Sequence, residues 1–498
     1  MFSPKKKPLV SLVRVMMRLN LFILWLLAGS AHAVLGDDWR RLSDDQGGGV
    51  NARAVALLGE GRVLLENEAG AQFETPLEVL SVADRQWFRE WESDWKTRAE
   101  VGKKLNKVIG QPVFRASWRL WDEKVSLVAK RLQWRPESQT PYSSSYRRYT
   151  REGYRFLGAR PYSVAAYGDD RGLLARMSLV FANKGDSFSA AGMGEDHFKE
   201  GQNLTTMEKF EQMLENDAKT LNQSISRVLG EGDTQYFGEG NDRRRVTRWD
   251  WNGHAFILSE EDREYVGLLI VSIEEAENRG RSDRISDAEI KKRLSANVVK
   301  EENGDIFIQN IPMVNQGPKG YCVPATFERA MRYQGVPADM YLLAVAGGTK
   351  PGGGTNTQRL FEEVESIVRR KGRRPDDVAI NPLRMRTVKR YIDEGVPIMW
   401  QMCSLPAYNT IANTRTQTRK RVTDWESYAM NIAEEAKVHA KRMERQKANF
   451  HVCMIIGYNE ATQELAVSDS WGERYAIRWV HLEEAAAVGN GRGFAIKR

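Results

Sequence analysis

The segment from residue 311 to 335 constrains the fold of this chain more than any other stretch of its sequence. Three residues that favour tight turns, Gly317, Pro318 and Gly320, lie immediately before a run of apolar residues with helical spacing. A glycine closes that run, as is usual at the end of a helix. The pattern predicts a tight loop that leads into a helix, with Cys322 at the helix N-terminus. The apolar positions of this helix are Val323, Phe327, Ala330 and Met331.

A cysteine in that place has a chemical consequence. The N-terminus of a helix carries about half a positive charge, which favours the thiolate over the thiol. The N–H groups of the first helical turn and the side-chain amide of Gln316, six residues before Cys322, can donate together to a tetrahedral oxyanion. The segment therefore predicts a nucleophile beside a group of oxyanion donors.

A histidine and an aspartate near the C-terminal end of the sequence supply the other groups that such chemistry needs. His451 opens one predicted strand and Asp469 follows the next, at similar distances from a predicted turn near residue 460. If the strands pair as a hairpin, Asp469 reaches the end that carries His451 and accepts its second ring N–H. Trp471 is expected to cover that hydrogen bond from water.

These residues together resemble the papain-like cysteine peptidases. The shared features are Gln-Gly-x-x-Gly-x-Cys, a histidine 129 residues after the cysteine, and Asp-Ser-Trp-Gly. The resemblance covers residues 305–498, and Gly-Tyr-Cys-Val-Pro-Ala-Thr is most similar to the subgroup that processes bacteriocin leaders. It implies Cys322 as nucleophile, His451 as general base and acid, Asp469 as orienting residue and Gln316 as oxyanion donor. It implies no metal and no organic cofactor.

The sequence departs from papain at the third catalytic residue and in its cysteines. Papain has asparagine as the third catalytic residue, and it has a disulfide-forming cysteine where this chain has Lys319. Three cysteines in 498 residues exclude a disulfide-knit scaffold and a multi-cysteine metal site. Cys403 and Cys453 are predicted to be buried thiols in strands, and a disulfide between them is the alternative that export allows.

The first 33 residues have the pattern of a secretory signal peptide. Five basic residues and no acidic ones accompany a short apolar run, Leu21–Ala28, and Ala31-His32-Ala33 is a small-x-small cleavage pattern. The run is too short to span a bilayer, and an uncleaved anchor is the alternative. Cleavage lowers the formal net charge from +8 to +3, so basicity gives no reason to expect nucleic-acid binding. We expect export to the periplasm or the medium, with no membrane span remaining.

Residues 34–92 show short strands, tight turns and then a helix, which predicts a small β-barrel. The stretch resembles the SH3-like homology domain first described in endocytic actin-assembly adaptors, a fold that binds short peptides. A peptide ligand for this barrel is therefore one hypothesis, and a spacer with core aromatic residues is the alternative. The resemblance is carried by Asp38-Trp39, Val55-Ala56, Gly61-Arg62-Val63-Leu64-Leu65, Ala69-Gly70, Pro76-Leu77, Leu80-Ser81 and Asp84.

Residues 93–300 predict an α+β domain whose function the sequence does not reveal. Two hairpins are expected, one around Gly168–Gly172 and one around Asn252-Gly253, a strong type I′ turn signal. His197 and His254 have no spaced ligand partners and are interpreted as structural or surface residues. The charged stretch 274–302 is interpreted as a solvated helix and linker.

An insert between Cys403 and His451 combines a basic run with a charged helix. The helix is predicted over 425–447. The simple interpretation is a solvated face, and the alternative is a lid or docking arm beside the cleft. The basic run consists of Arg415, Arg419, Lys420 and Arg421.

The sequence as a whole predicts a multidomain α+β protein: a signal peptide (1–33), an SH3-like barrel (34–92), an α+β domain (93–300) and a papain-like cysteine peptidase domain (305–498). The predicted activity is peptide-bond hydrolysis through an acyl-enzyme, with a peptide or protein as substrate. One alternative is transglutaminase-like acyl transfer by the same residues. The other is a non-catalytic peptide-binding or adhesion protein.

Overall fold

A computed structural model describes residues 39–58, 61–115, 118–188, 205–240, 243–261, 263–350, 354–443 and 448–498. The predicted signal peptide, Asp38, His197 and the 444–447 end of the predicted insert helix lie outside the described residues. The chain divides into two compact units. One holds the residues up to Lys103 together with Arg115 and Trp118, and the other holds 104–114 and 119–498.

The first unit contains an antiparallel four-stranded meander followed by a long helix. The strands lie in the order β1-β2-β3-β4, and an isolated bridge joins Asp44 to Leu80. Leu42, Val63 and Phe88 are fully or almost fully buried in its core. The short strands and the helix that the sequence predicts here are present. The bounds are β1 Arg40–Ser43, β2 Gly49–Leu58, β3 Arg62–Asn67, β4 Gln72–Pro76 and α1 Val82–Ile109, which continues into the second unit.

The first part of the second unit is an eight-stranded antiparallel sheet, here called the middle sheet. Its strand order is β5-β6-β7-β8-β12-β11-β10-β9. Asn252 and Gly253 have positive φ angles of 46° and 75°, as a type I′ turn requires. The elements are α2 Val125–Leu132, β5 Arg135–Gln139, β6 Ser144–Tyr149, β7 Ser163–Gly168, β8 Leu174–Asn183, α3 Lys184–Ser187, α4 Met207–Leu229, β9 Asp233–Phe237, β10 Arg244–Trp251, β11 His254–Glu261, β12 Tyr265–Ser272 and α5 Ile273–Glu277.

Helix α4 covers one face of the middle sheet with its apolar stripe. Its N-cap is Thr206, whose side chain accepts the N–H of Lys209. The stripe packs against β8 and β11. Its buried apolar residues are Phe210, Leu214, Leu221 and Ile225, which follow the 3.6-residue spacing of a helix.

The rest of the second unit is built on a second antiparallel sheet. Its main path is β13-β14-β17-β16-β20-β15, and β18 and β19 extend it from β17. The elements are α6 Asp287–Ala296, β13 Val298–Lys300, β14 Asp305–Ile308, α7 Cys322–Tyr333, α8 Met340–Ala346, α9 Thr357–Arg370, β15 Arg374–Ala379, α10 Met385–Ile392, β16 Ile398–Cys403, α11 Pro406–Arg419, α12 Trp425–Met443, β17 Phe450–Asn459, β18 Glu464–Ser468, β19 Arg478–His481, α13 Leu482–Val488 and β20 Gly489–Lys497.

Strand β17 pairs with β14, β16 and β18, and its two faces contribute to two different apolar clusters. Val452 and Met454 pack in a cluster with Phe327 of α7, whereas Cys453 and Ile455 pack in the cluster on the other face. This alternation is what a strand buried on both faces requires. It fixes helix α7, and Cys322 with it, against the strand that carries His451.

Two expectations about charged segments are wrong. The stretch 274–302 is not only a helix and linker, because Val298–Lys300 pairs with β14 as a strand of the second sheet. In the insert, Arg415 and Arg419 are 5% and 6% exposed and pair with Glu464. The insert helices are therefore anchored on the sheet through buried ion pairs. Only Lys420 and Arg421 of the basic run are exposed, as a solvated face would be.

The described helices include none with both the length and the apolar composition needed to cross a bilayer.

Candidate active site

Cys322 is the first residue of helix α7, as the loop and helix pattern predicts. Its side chain is buried, with 5% of the residue exposed. The preceding loop is tied to the C-terminal hairpin, because the N–H of Gln316 donates to the carbonyl of Ser470 at 2.8 Å. A loop from one part of the sequence is thus held next to the residue that follows Asp469.

His451 and Asp469 are brought together by the predicted hairpin. Strand β17 pairs with β18, with Met454 opposite Ser468, and Asp469 follows directly after β18. Nε2 of His451 lies 2.9 Å from Oδ1 of Asp469, and both side chains are almost fully buried. Cys322 and the same imidazole shift each other's pKa, so the thiol as well as the carboxylate lies close to the ring.

The electrostatics of this group favour a thiolate–imidazolium pair. Burial alone would raise the pKa of Cys322, but the hydrogen bond and charge of His451 outweigh it and lower that pKa, helped by the N–H groups of Val452 and Val323. Burial would likewise lower the pKa of His451, but Asp469 and Cys322 raise it to about 9. The N–H of Val323 belongs to the first turn of α7, so the helix N-terminus contributes as expected.

Asp469 is held between His451 and a buried arginine that the sequence did not indicate. Nη2 and Nε of Arg478 donate to Oδ2 of Asp469 at 2.6 and 3.1 Å, which leaves Oδ1 for the imidazole. Burial opposes the charge of Asp469, but Arg478 and His451 lower the pKa of Asp469 to about 2. Arg478 itself donates to the side-chain oxygen of Asn409 on α11, so the insert supports the aspartate from behind.

Trp471 covers the histidine in the way that the sequence predicts. Its ring stacks on His451 with centroids 4.7 Å apart and an interplanar angle of 28°. It is 5% exposed, and Arg478 lies 5.4 Å from its ring centroid. The ring therefore excludes water from one face of the imidazole and from its bond to Asp469.

Gln316 is fully buried in the loop before Cys322. Its side-chain nitrogen donates to the carbonyl of Lys319 at 2.9 Å. An amide nitrogen carries two N–H donors, and this bond uses one of them. The structure thus places Gln316 in the nucleophile loop, with its amide orientation fixed by the backbone of that loop.

Residues 308–488 match the Peptidase_C39 like family. A comparison with curated proteins found no match. The matched region contains the loop, helix α7, the insert and the hairpin, with Gln316, Cys322, His451 and Asp469 inside it. The match supports a papain-like cysteine peptidase family for this region, and so a hydrolase of the cysteine-peptidase type.

Several polar residues of the matched region hold helix α7 to the hairpin and were not predicted. Arg329 is 1% exposed, and it donates to the carbonyl of Pro312 at 3.0 Å and to Oγ of Ser468 at 2.6 Å. Thr326 donates to the carbonyl of Val452 at 3.0 Å. In the sequence, Arg329 and Thr326 lie between the apolar positions of α7, where polar residues are ordinary. No sequence signal therefore marks them.

The two other cysteines of the matched region, Cys403 and Cys453, are buried and reduced. Cys453 lies opposite Trp400 and Cys403 lies opposite Phe450, so the strand register separates them. Burial, followed by the charge of Asp469, raises the pKa of Cys453. A low pKa is therefore a property of Cys322 and not of every buried thiol near the hairpin.

Within the residues that the structure describes, no cluster of His, Cys, Asp or Glu side chains has the composition of a metal site.

Proposed function

We propose that this protein is an exported cysteine peptidase that hydrolyses peptide bonds through Cys322, His451 and Asp469, with Gln316 as oxyanion donor. The observation that carries the proposal is the position of His451, buried between a thiol at a helix N-terminus and a carboxylate. The family match of residues 308–488 supports it independently. This combination of nucleophile, base and orienting group is the one that thiol-based acyl transfer uses.

Acylation follows from the charges at the site. The thiolate of Cys322 attacks the carbonyl carbon of the scissile peptide bond, and the carbonyl oxygen becomes an oxyanion. The second side-chain N–H of Gln316 and the backbone N–H groups at the start of α7 stabilise it. As the C–N bond breaks, the imidazolium of His451 protonates the leaving amine, and a thioester on Cys322 remains.

Deacylation reverses the role of the histidine. Neutral His451 accepts a proton from a water molecule, whose oxygen attacks the thioester carbonyl. The C–S bond breaks, the carboxylic acid product leaves, and the thiolate–imidazolium pair is restored. Asp469, fixed by Arg478, keeps the ring in the orientation that both steps need.

The proposal extends to the N-terminal part of the chain. Residues 1–33 direct export and are removed, and the four-stranded meander belongs to an SH3-like domain that binds a peptide or anchors the enzyme near its substrate. The subgroup that processes bacteriocin leaders gives the nearest substrate class, a peptide or a protein segment. No cofactor takes part in the proposed reaction.

The test is product analysis with the mature protein, residues 34–498, on a peptide library. We expect new amino and carboxyl termini in the products, and none with Cys322→Ala. Ligated or transamidated products would instead identify transglutaminase-like acyl transfer by the same residues. Identical products from both proteins, or none from either together with free-thiol reactivity of Cys322, would reject the enzyme and leave the peptide-binding alternative.

A further inference from the structure

The loop before Cys322 is bound on one side by residues of the middle sheet. The N–H of Met313 donates to Oγ of Ser138 at 3.0 Å, and the N–H of Asn315 donates to Oε1 of Glu137 at 2.9 Å. The hydroxyl of Tyr149 donates to the carbonyl of Asn315. Three consecutive polar contacts therefore fix the backbone that leads into Gln316.

A buried charge then joins the loop to helix α3, which follows strand β8 of the middle sheet. The side chain of Lys319 has no exposed surface, and its ammonium lies 2.7 Å from Oδ2 of Asp186. The same ammonium lies 3.2 Å from the hydroxyl of Tyr341 and 4.5 Å from the ring centroid of Tyr149.

Tyr321, the residue before the nucleophile, makes a second link of this kind. Its hydroxyl donates to Oε1 of Glu264 at 2.9 Å and accepts the N–H of Gly185 at 3.2 Å. Glu264 is paired in turn with Lys184. Tyr321 and Glu264 are buried, and Tyr321 belongs to an apolar cluster formed jointly by middle-sheet residues and by α7 and α8.

The order of these contacts connects a carboxylate of helix α3 to the proposed oxyanion donor. Asp186 holds the side chain of Lys319, and the carbonyl of Lys319 accepts the side-chain N–H of Gln316. Loss of one partner of a buried ion pair leaves the other charge uncompensated in a site of low dielectric, which is strongly unfavourable. Separation from the middle sheet would therefore release the loop that carries Gln316.

We propose that Asp186 and Glu264 are positioning residues for the nucleophile loop, so that the middle sheet is a permanent part of the catalytic unit and not a removable inhibitory segment. This inference rests on the proposed peptidase function. It assigns a role to a region whose sequence reveals none. It also predicts that the two carboxylates affect the oxyanion step and leave the thiolate–imidazolium pair intact.

The experiment compares two small probes that need different parts of the site. Iodoacetamide alkylates Cys322 by displacement and requires the thiolate alone. p-Nitrophenyl acetate acylates Cys322 through a tetrahedral oxyanion and also requires the donors. Asp186→Asn and Glu264→Gln are made in the full mature chain. The control is Glu123→Gln, which removes a buried carboxylate paired with Arg131 elsewhere in the same region.

We expect Asp186→Asn and Glu264→Gln to lower the acylation rate at least tenfold, while the alkylation rate stays within about threefold of wild type. Glu123→Gln should change neither the acylation rate nor the alkylation rate. Unchanged acylation in a folded Asp186→Asn or Glu264→Gln protein, or parallel loss of both rates, would overturn the inference. Failure of the proposed function looks different, because the wild-type protein would then show no nitrophenolate burst and only free-thiol alkylation.

Discussion

Two histidines in this chain are alike in being buried and stacked on a tryptophan, but their pKa values are shifted in opposite directions. His451 and His254 are 2% and 0% exposed, and each stacks on a tryptophan, with centroids 4.7 and 5.4 Å apart. The pKa of His451 is raised to about 9, whereas burial lowers the pKa of His254 to about 3.

The difference lies in the ionic character of their partners. His254 bonds neutral groups only: its Nε2 accepts the N–H of Leu120 at 2.9 Å, and its Nδ1 lies 3.0 Å from the carbonyl of Trp251. His451 bonds a carboxylate and a thiol that ionises. Burial and an aromatic neighbour therefore do not make a base, and it is the buried negative charge that stabilises the imidazolium.

The largest expected effect is a difference in kcat/KM between variants of the two histidines. His451→Ala removes the proton carrier of both chemical steps, so kcat/KM should fall about 10⁴-fold or more. His254→Ala leaves the proposed site intact, so its kcat/KM per folded molecule should stay within about threefold of wild type. Steady-state hydrolysis of a peptide found by the library screen measures both. Comparable losses in the two folded variants would remove the functional distinction.

The pH dependence of alkylation tests the cause of the distinction. Because the pKa of Cys322 is lowered and that of His451 is raised to about 9, the ion pair should persist from neutral pH to about pH 9. An ordinary thiol loses roughly 200-fold in reactivity between pH 9 and pH 6. Because the pKa of Cys322 is lowered, we expect its reactivity with iodoacetamide to decrease less than this over that range, and the His451→Ala variant to follow the ordinary thiol.

The same shifts predict how the site responds to alkali. The raised pKa of His451 stabilises the folded state below the ordinary histidine pKa, and this contribution is lost as pH rises through about 9. The rate of hydrolysis should also decrease as pH rises through about 9, because neutral His451 cannot protonate the leaving amine. A plateau of kcat/KM from pH 7 to pH 11 would contradict the assignment of the acid.

Arg478 offers a smaller and more selective perturbation of the charge next to His451. Arg478→Met removes the cation that lowers the pKa of Asp469, so Asp469 should take up a proton at higher pH than in wild type. We expect kcat/KM at neutral pH to fall about tenfold, equivalent to about 1.4 kcal/mol. The acid limb of the pH profile should move to higher pH.

The control for Arg478→Met is Arg415→Met, which breaks a pair with Glu484 in which both side chains are similarly buried. Each variant removes the arginine partner of a buried carboxylate and should be destabilised by several kcal/mol, measured by chemical unfolding. Only Arg478→Met should move the acid limb. A shift of equal size in both proteins would indicate a general effect of stability and not of Asp469 ionisation.

The sequence was most informative where chemistry and local structure depend on a few neighbouring residues. Glycines and a proline before a helical period placed Cys322 at the start of α7, and a turn signal between two strands brought Asp469 to His451. Trp471 was expected beside them and is there. These predictions worked because each depends on chain geometry over a few residues or on one hairpin.

The supporting residues could not be predicted, because their roles arise from tertiary contacts. Arg478 and Arg329 are indistinguishable in the sequence from surface arginines. Arg415 and Arg419 lie in a run whose simple interpretation is a solvated face, although each has a buried carboxylate partner far along the chain. A charged residue at helical spacing can face either side once the insert packs on a sheet. The contact of the nucleophile loop with Asp186 has the same origin.

The smallest expected effect concerns stability at the histidine that does no chemistry. The pKa of His254 lies near 3 in the folded chain and near 6.5 when unfolded, so between these values only the unfolded chain binds the proton. The free energy of unfolding should therefore decrease as pH falls from about 6.5 towards 3. His254→Gln should lower stability at pH 7 by about 1–3 kcal/mol, because it cannot keep both backbone hydrogen bonds. It should also flatten the decrease below pH 6.5.

Urea unfolding at pH 7, 5.5 and 4.5 measures both effects, and the difference between the two proteins isolates His254 from the carboxylates that titrate in the same range. An equally steep decrease in His254→Gln would mean that the neutral partners of His254 do not set its protonation, and the contrast with His451 would then need another cause.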